Sequence, residues 1–328
     1  MNILVSGGAG YIGSQVSYDL ISSGHNVTII DNLSTGNKKL IPKNADFYKC
    51  DISNITKLKH LLKIKKIHLV IHLAAYISVE ESIKSPKKYF SNNYYKTKKF
   101  INFCIKNKIL KFIFSSTAAV YKQSNNMVNE NSLVAPQNPY GMSKLLCEKF
   151  LIKKKNIKCI ILRYFNVAGA DIKLRTGPIS TSKSTHLIKK IINIYFKKKE
   201  KLEIYGKNYD TKDGTAVRDY IHINDLSLIH KKSIEYLSKI KNNKIIILNC
   251  GYGFGYSVLD VVKNALKIFK FNFIYGKKRK GDCSSLIANN KKIKNMLKLN
   301  FKIKSLKKIL KSAILWEKKY RKLTKKKL

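Results

Sequence analysis

The chain has 328 residues, 44% of them hydrophobic, enough to bury a sizeable core as one unit of two lobes. Its 66 Lys and Arg outnumber 19 Asp and Glu, giving a formal net charge of +47, a balance that ordinarily points to nucleic acid or anionic lipid. The lysines are strewn everywhere, though, with abundant Ile, Asn, Tyr and Phe and only five Pro and sixteen Gly. That usage is what A/T-rich codons encode, so the charge reads as drift of surface positions. No specific nucleic-acid partner is expected, only weak, salt-sensitive RNA binding.

In chain order, Asn2 to Ser6 is predicted as a short buried strand, followed directly by Gly7-Gly8-Ala9-Gly10-Tyr11-Ile12-Gly13. Tyr11 to Ser23 then shows helical spacing of Ile12, Val16, Leu20 and Ile21. Missing side chains let a backbone turn tightly against a pyrophosphate, whose charge rests on the helix N-terminus. A second strand, His25 to Ile30, ends in Asp31, close to the spacing of about 20 residues expected for an acid that holds the adenine ribose hydroxyls. A carboxylate there repels a ribose phosphate, so NAD is favoured over NADP. A plain tight turn is the alternative for the glycines alone; strand, glycines, helix, strand and terminal Asp in order argue against it.

Lys111 to Ser116 is a β-rich run that empties into Thr117-Ala118-Ala119-Val120-Tyr121. Asn138-Pro139 breaks the chain before Tyr140 starts a helix through Leu151. Tyr140 and Lys144 fall at i and i+4, on one helix face. A nearby ammonium stabilises tyrosinate, so the phenol can act as a base near neutral pH beside a nicotinamide, with Thr117 bonding the reacting oxygen. The alternative is a helix-start aromatic and a solvated lysine. Strand–helix alternation to about residue 166 argues a doubly wound parallel sheet.

These residues resemble the extended short-chain dehydrogenase/reductase superfamily, and within it the UDP-glucose 4-epimerase (UDP-galactose 4-epimerase) family. The resemblance runs from Ile3 to about Trp316. Its carriers are the glycine run, Asp31-Asn32, Asp51-Ile52, His72-Leu73-Ala74-Ala75, Asn92-Asn93, the Ser-Ser-Thr strand end and Tyr140/Lys144. More specific are the runs Arg163 to Ala170 and Tyr205 to His222.

The resemblance implies a Rossmann-type α/β fold with a smaller α/β substrate lobe, permanently bound NAD, and reversible epimerisation of UDP-glucose and UDP-galactose at C4 through a 4-keto sugar. By that resemblance Tyr140 is the acid–base, Lys144 holds the nicotinamide ribose, and Thr117 stands where the family has Ser or Thr. Gly7, Gly10, Tyr11, Ile12, Gly13, Asp31, Asn32, Asp51, Ile52, Leu73, Ala74, Asn92 and Phe165 match cofactor positions. Asn166, His186, Leu187, Arg218, Arg279 and Asp282 match positions that hold the UDP-sugar, and Leu286 gates the space beside the sugar 2-substituent. Guanidinium forks suit a diphosphate, which agrees with Arg218 and Arg279. A structural ion pair with Asp219 is the alternative for Arg218.

The lobes are expected at 1–166 plus about 217–248 for NAD, and at about 167–216 plus 249–328 for the UDP-sugar. The segments Lys87 to Lys106 and Tyr140 to Lys154 are expected to be helices that pair with a second copy, making a homodimer. Departures from the family are Ile77, where some members have Lys, Lys122, where Gly is usual, and prolines lost between Tyr121 and Asn138, with Glu130 kept.

Rival readings are an epimerase for UDP-N-acetylglucosamine, one for UDP-glucuronate with an added cation, and a dehydratase or decarboxylase. A dehydratase places Asp-Glu after the threonine, where this chain has Ala118-Ala119. A non-catalytic NAD- or RNA-binding protein is the remote alternative. The six cysteines lie singly, without a CxxC or Cys/His cluster, so neither metal nor disulfides are expected. No apolar run approaches a membrane span, and Met1-Asn2 leads straight into the first strand. The protein is expected to be cytoplasmic, with no membrane partner.

Overall fold

The computed structural model describes all residues except 125, 180–185, 198–200, 280–281 and 326–328. Six strands follow one another in the first half: β1 (Asn2–Ser6), β2 (Asn26–Asp31), β3 (Asp46–Lys49), β4 (Leu69–His72), β5 (Lys111–Thr117) and β6 (Lys158–Tyr164). Together with Ile245–Cys250 they form a seven-stranded sheet in the order Ile245–Cys250, β6, β5, β4, β1, β2, β3. Every pairing in it is parallel. The chain winds outward from β1 to β3, then returns to start again at β4 on the other side of β1. The reversal opens a crevice at the carboxyl ends of β1 and β4, where a doubly wound sheet binds its ligand.

Both faces of the sheet are covered, because alternate strand residues point to opposite sides. Ile3, Val5, Ile71, Ile113 and Ile160 join one core, covered by Val16 and Leu20 of helix α1 (Tyr11–Ile21) and by Leu226, Ile229 and Leu237 of the Ile223–Lys239 helix. Leu4, Val70, Phe112, Phe114 and Ile161 join the other, under Leu58, Phe100, Cys104, Cys147 and Leu151. Each such side chain contributes about 1.5–3 kcal/mol by leaving water.

The helix that carries Tyr140 and Lys144 spans Pro139–Ile152. Pro139 stands where its missing N–H costs nothing, and the Asn138 side chain accepts from Gly141 N–H at 2.8 Å. The predicted helix over Lys87–Lys106 is not uniform. A turn at Pro86–Tyr89 gives way to a π-helical stretch, Phe90–Lys96, before regular helix resumes at Thr97–Lys106. The cause is tertiary. Asn93 is buried with its side chain accepting from Tyr76 N–H and donating to Tyr76 C=O, both at 2.9 Å, and Cys147 Sγ donates to its carbonyl oxygen. The wider turn accommodates that inward pull, as such turns do near functional sites.

A third core packs the helices Leu187–Lys197, Val258–Leu266 and Leu306–Lys325 on the parallel pair Leu202–Tyr205 and Phe273–Gly276. A small sheet, Tyr256–Ser257, Val217–Arg218 and Ser285–Leu286, lies alongside. Among the described residues no helix is long and apolar enough to cross a membrane.

Candidate functional site

The glycine run forms the cradle that its sequence predicts. Gly7 has φ of +76°, and a Cβ there would lie 2.6 Å from the backbone nitrogen of Ala74. A Cβ on Gly13 would lie 2.2 Å from the carbonyl oxygen of Gly7. Gly10 caps α1 without a side-chain bond, and the first helical turn carries no acid, so the helix N-terminus presents bare N–H groups. This cradle suits a pyrophosphate, and the residues around it fit NAD. Tyr11 donates its hydroxyl to Gly169 C=O at 2.6 Å, tying the turn to the chain after β6, and Ile12 packs into the first core.

Asp31 ends β2 as predicted. Its carboxylate accepts from Ala9 N–H at 3.0 Å and Leu33 N–H at 2.8 Å, and burial raises its pKa. A Cβ on Gly36 would lie 2.8 Å from that carboxylate, so the loop closes tightly over it. Asn32 donates to Asp51 at 3.0 Å. Burial alone would raise the Asp51 pKa, but bonds from Lys96, Ser53 and Asn32 hold it well below the usual carboxylate range. Ile52 is buried in the second core, while Leu73 and Ala74 continue from β4 over the glycine turn. Asn92 donates to Asn93 at 3.2 Å, and Ile77 is exposed.

Tyr140, Lys144 and Thr117 come together at the carboxyl end of β5. Burial raises the pKa of the Tyr140 phenol, and the neighbouring Thr117 hydroxyl pulls it partly back. The Tyr89 ring meets Tyr140 edge-on at 6.5 Å. Lys144 is 3% exposed and burial pulls its pKa to about 8. Its ammonium lies 4.9 Å from the Phe114 ring centre. Beneath this triad runs a buried network that sequence reasoning missed. Arg163 grips Glu148 with two bonds, at 3.0 and 2.6 Å, at 3% and 1% exposure, and Ser116 donates to the same carboxylate. The guanidinium also covers the Tyr121 ring, whose hydroxyl donates to Asn249 at 2.6 Å, while Glu130 accepts from Asn249 N–H at 2.8 Å. The scarcity of arginine among so many lysines was the one sequence signal available.

On the substrate side Arg218 does not pair with Asp219. It pairs with Asp282 and donates to Cys283 C=O at 2.7 Å, while Asp219 is spent on the N–H groups of Tyr252, Gly253 and Ala288. Leu286 stands opposite Arg218 in the small sheet and packs on the cluster of Ala118, Val120, Tyr121 and Phe165. Asn166 follows Phe165, its N–H donating to Asp219 C=O at 2.9 Å. The Arg279 guanidinium lies 4.0 Å from the Tyr205 ring centre, and Lys190 donates to the Tyr205 hydroxyl at 3.1 Å. His186 is exposed just ahead of the Leu187–Lys197 helix; no hydrogen bond of its side chain joins it to the others among the described residues.

Tyr209 was also missed. It is 4% exposed, its hydroxyl has no partner among the described residues, and burial first, then the Asp282 charge, pushes its pKa to about 12. Arg218 and Arg279 act on it too. An orphaned buried hydroxyl costs about 1–3 kcal/mol, which a bound polar ligand relieves.

A doubly wound sheet, a glycine cradle at its switch point and a Tyr–Lys helix with a hydroxyl strand end define a nucleotide-dependent enzyme of the short-chain dehydrogenase type. The model of the NAD dependent epimerase/dehydratase family matches residues 3–251, and the chain belongs to that family. It is 37% identical over 302 residues to the UDP-glucose 4-epimerase of Rhizobium meliloti, covering 90% of this chain and 91% of that one. Among solved structures, the UDP-glucose-4-epimerase of Stenotrophomonas maltophila, with bound NAD and formylated UDP-arabinopyranose, superposes with a TM-score of 0.93 at 28% identity, covering 98% and 99% of the two chains. The UDP-Glc/GlcNAc 4-epimerase of Campylobacter jejuni is 39% identical with a TM-score of 0.82, covering 97% and 99%.

Proposed function

We propose that this chain interconverts UDP-glucose and UDP-galactose by inverting C4, with NAD as a resident cofactor. The observation that carries the reading is Tyr140 set beside Thr117 and Lys144 at the carboxyl end of β5, on the same sheet edge as the glycine cradle of β1. NAD accepts the C4 hydride and returns it. Tyr140 takes the proton from the 4-hydroxyl and gives it back after the keto sugar has turned its other face. Thr117 fixes the reacting oxygen against the phenol, and Lys144 holds the charge that favours tyrosinate. A sugar that must rotate has to be held through its nucleotide. Arg218 and Arg279 supply that grip, and the Tyr209 hydroxyl is free to add to it.

The turn after Thr117 favours this reading over dehydration. Ala118–Val120 is a short 3₁₀ turn in which the Thr117 hydroxyl itself accepts from Ala119 N–H, and neither alanine can act as acid or base. The relative from Campylobacter jejuni supports a second substrate pair carrying N-acetyl groups, with Leu286 as the residue that bears on it.

The lobes divide at residues 1–166 plus about 217–248 for NAD and about 167–216 plus 249–328 for the UDP-sugar. The strand Val217–Arg218 stands at that border, since it pairs with the small sheet. A second copy is the natural cover for Tyr95 and Ile152, exposed at 63% and 50% on the two long helical segments, and for Met142 beside them. A cytosolic location suits a nucleotide-sugar substrate. Incubating the purified protein with UDP-galactose and no added NAD should yield UDP-glucose; absence of product from folded, NAD-loaded protein would overturn the proposal.

A further inference from the structure

The carboxylate of Asp51 is fully engaged. Its Oδ1 accepts Ser53 N–H at 2.9 Å and the Ser53 hydroxyl at 2.7 Å; its Oδ2 accepts the Asn32 amide at 3.0 Å and the Lys96 ammonium at 2.8 Å. An ionised carboxylate offers about four lone-pair positions, so the set is complete. The two Ser53 bonds close a local turn. The Asn32 amide is held from its other end, where its oxygen accepts Ser34 N–H at 3.0 Å. Lys96 differs from these. It reaches over from the π-helical stretch on a flexible four-carbon stem, with 33% of its side chain exposed. It is the donor that can leave without moving backbone.

The place of Asp51 in the sheet gives this its meaning. Cys50 N–H donates to Asp31 C=O at 3.1 Å, so Asp51 follows β3 one strand outward from Asp31. With Asp31 at the adenine ribose, the next strand end reaches the base, whose exocyclic amino group is a donor suited to a carboxylate. We propose that Lys96 competes with the adenine amino group for Asp51 and thereby sets how tightly, and how selectively, this chain holds the adenine end of its cofactor. The inference rests on the reading that Asp51 faces adenine. A part-exposed ion pair is weak and screened by salt, so the competition amounts to a few-fold in affinity and fades as ionic strength rises.

The test uses full-length protein stripped of dinucleotide and titrated with NAD or with its hypoxanthine analogue, in which oxygen replaces the amino group. Binding is read by calorimetry, and folding by circular dichroism. Lys96→Met should bind NAD about two- to fivefold more tightly than wild type at low salt. That gain should shrink at high salt, and the preference for NAD over the analogue should widen. Lys96→Gln, which keeps the stem and loses the charge, should behave likewise and stands in if the methionine variant misfolds. Unchanged or weaker NAD binding in both variants, with Asp51→Ala losing affinity and preference, would overturn the competition and leave the adenine contact standing. If Asp51→Ala also changes neither, Asp51 does not face adenine, and the underlying reading falls with the proposal.

Discussion

The ammonium of Lys144 donates to the carbonyl oxygen of Ser115 at 2.8 Å, fastening the Tyr140 helix to β5 two residues before Thr117. One bond therefore helps set the separation of the phenol and the hydroxyl. The sequence reading gives the lysine an electrostatic role toward Tyr140 and, by resemblance, a hold on the nicotinamide ribose, and neither of these anticipates the bond to Ser115. In the structure burial and Thr117 set the phenol's pKa, and the lysine's visible bond is positional.

On the proposed function, Tyr140→Phe removes the proton carrier and leaves the nucleotide grip untouched. Turnover should fall by at least about a hundredfold, the usual scale for a positioned acid–base group, while UDP affinity stays near wild type. Lys144→Ala should lower both the rate and the NAD retained through purification, since it frees the helix as well as removing charge. Wild-type turnover in Tyr140→Phe would assign proton transfer to Thr117 or water instead.

Gly13→Ala tests the cradle. The new methyl would meet the Gly7 carbonyl at 2.2 Å, a backbone atom that cannot step aside cheaply. Dinucleotide released on denaturing the purified variant should drop to a small fraction of the wild-type amount. An undiminished yield would place the cofactor elsewhere.

Acid should destabilise the fold from about pH 6.5 downward, through its buried histidines. His72, His222 and His230 are buried, and burial lowers their pKa values to about 3, 4 and 4. Neutral rings suit their partners: His222 Nδ1 accepts Asn224 N–H at 3.2 Å, and His230 Nδ1 donates to Leu226 C=O at 2.9 Å. Unfolded histidines protonate near pH 6.5, so this stability is complete above 6.5 and is lost as pH falls toward 4. Asp219, raised to about 6 by burial, works the other way between pH 4 and 6, where the folded state holds the extra proton. The histidines outnumber the aspartate, so unfolding takes up protons on balance and stability falls as the pH drops through that range. Denaturant melts at pH 7, 6 and 5 check this; a flat profile would mean that the native histidines are charged.

The cofactor half was readable because its signals are local: apolar period, glycine spacing and a terminal acid lie within one βαβ stretch. What escaped depends on distant partners. The π-helical turn at Phe90–Lys96 follows from Asn93 reaching Tyr76, which no helical period encodes. Lys96 was hidden among 66 basic residues, with nothing local to mark it as the one beside Asp51. Arg218 has an acid as its next neighbour, yet adjacent residues on a strand point to opposite faces, and its partner is Asp282.

The Arg163–Glu148 pair should be expensive to break. Among the described residues, Arg163→Met leaves a carboxylate at 1% exposure with Ser116 alone to bond it, and losing one partner of a buried pair costs about 3–5 kcal/mol. The double variant Arg163→Met/Glu148→Leu removes both charges and should recover much of that loss. Equal destabilisation in the single and double variants would show that packing against Tyr121, rather than charge, dominates.

On the proposed function, Leu286 bears on which sugars fit. Its strand lies opposite Arg218, and its side chain packs against the cluster of Ala118, Val120 and Phe165 that continues from Thr117. It therefore bridges the Arg218 strand and the turn that follows Thr117. A leucine is shorter than a tyrosine and has no hydroxyl, so it leaves room beside the sugar but offers an apolar wall. An acetamido group placed there buries an amide, at a cost of about 1–3 kcal/mol if it stays unpaired. UDP-glucose and UDP-galactose should accordingly have the higher kcat/KM, with UDP-N-acetylglucosamine turned over more slowly but measurably. Leu286→Tyr should fill the space, reduce N-acetyl turnover further, and leave the glucose–galactose pair within a few-fold of wild type. A tyrosine variant that kept or gained N-acetyl activity would show that another wall of the pocket decides access.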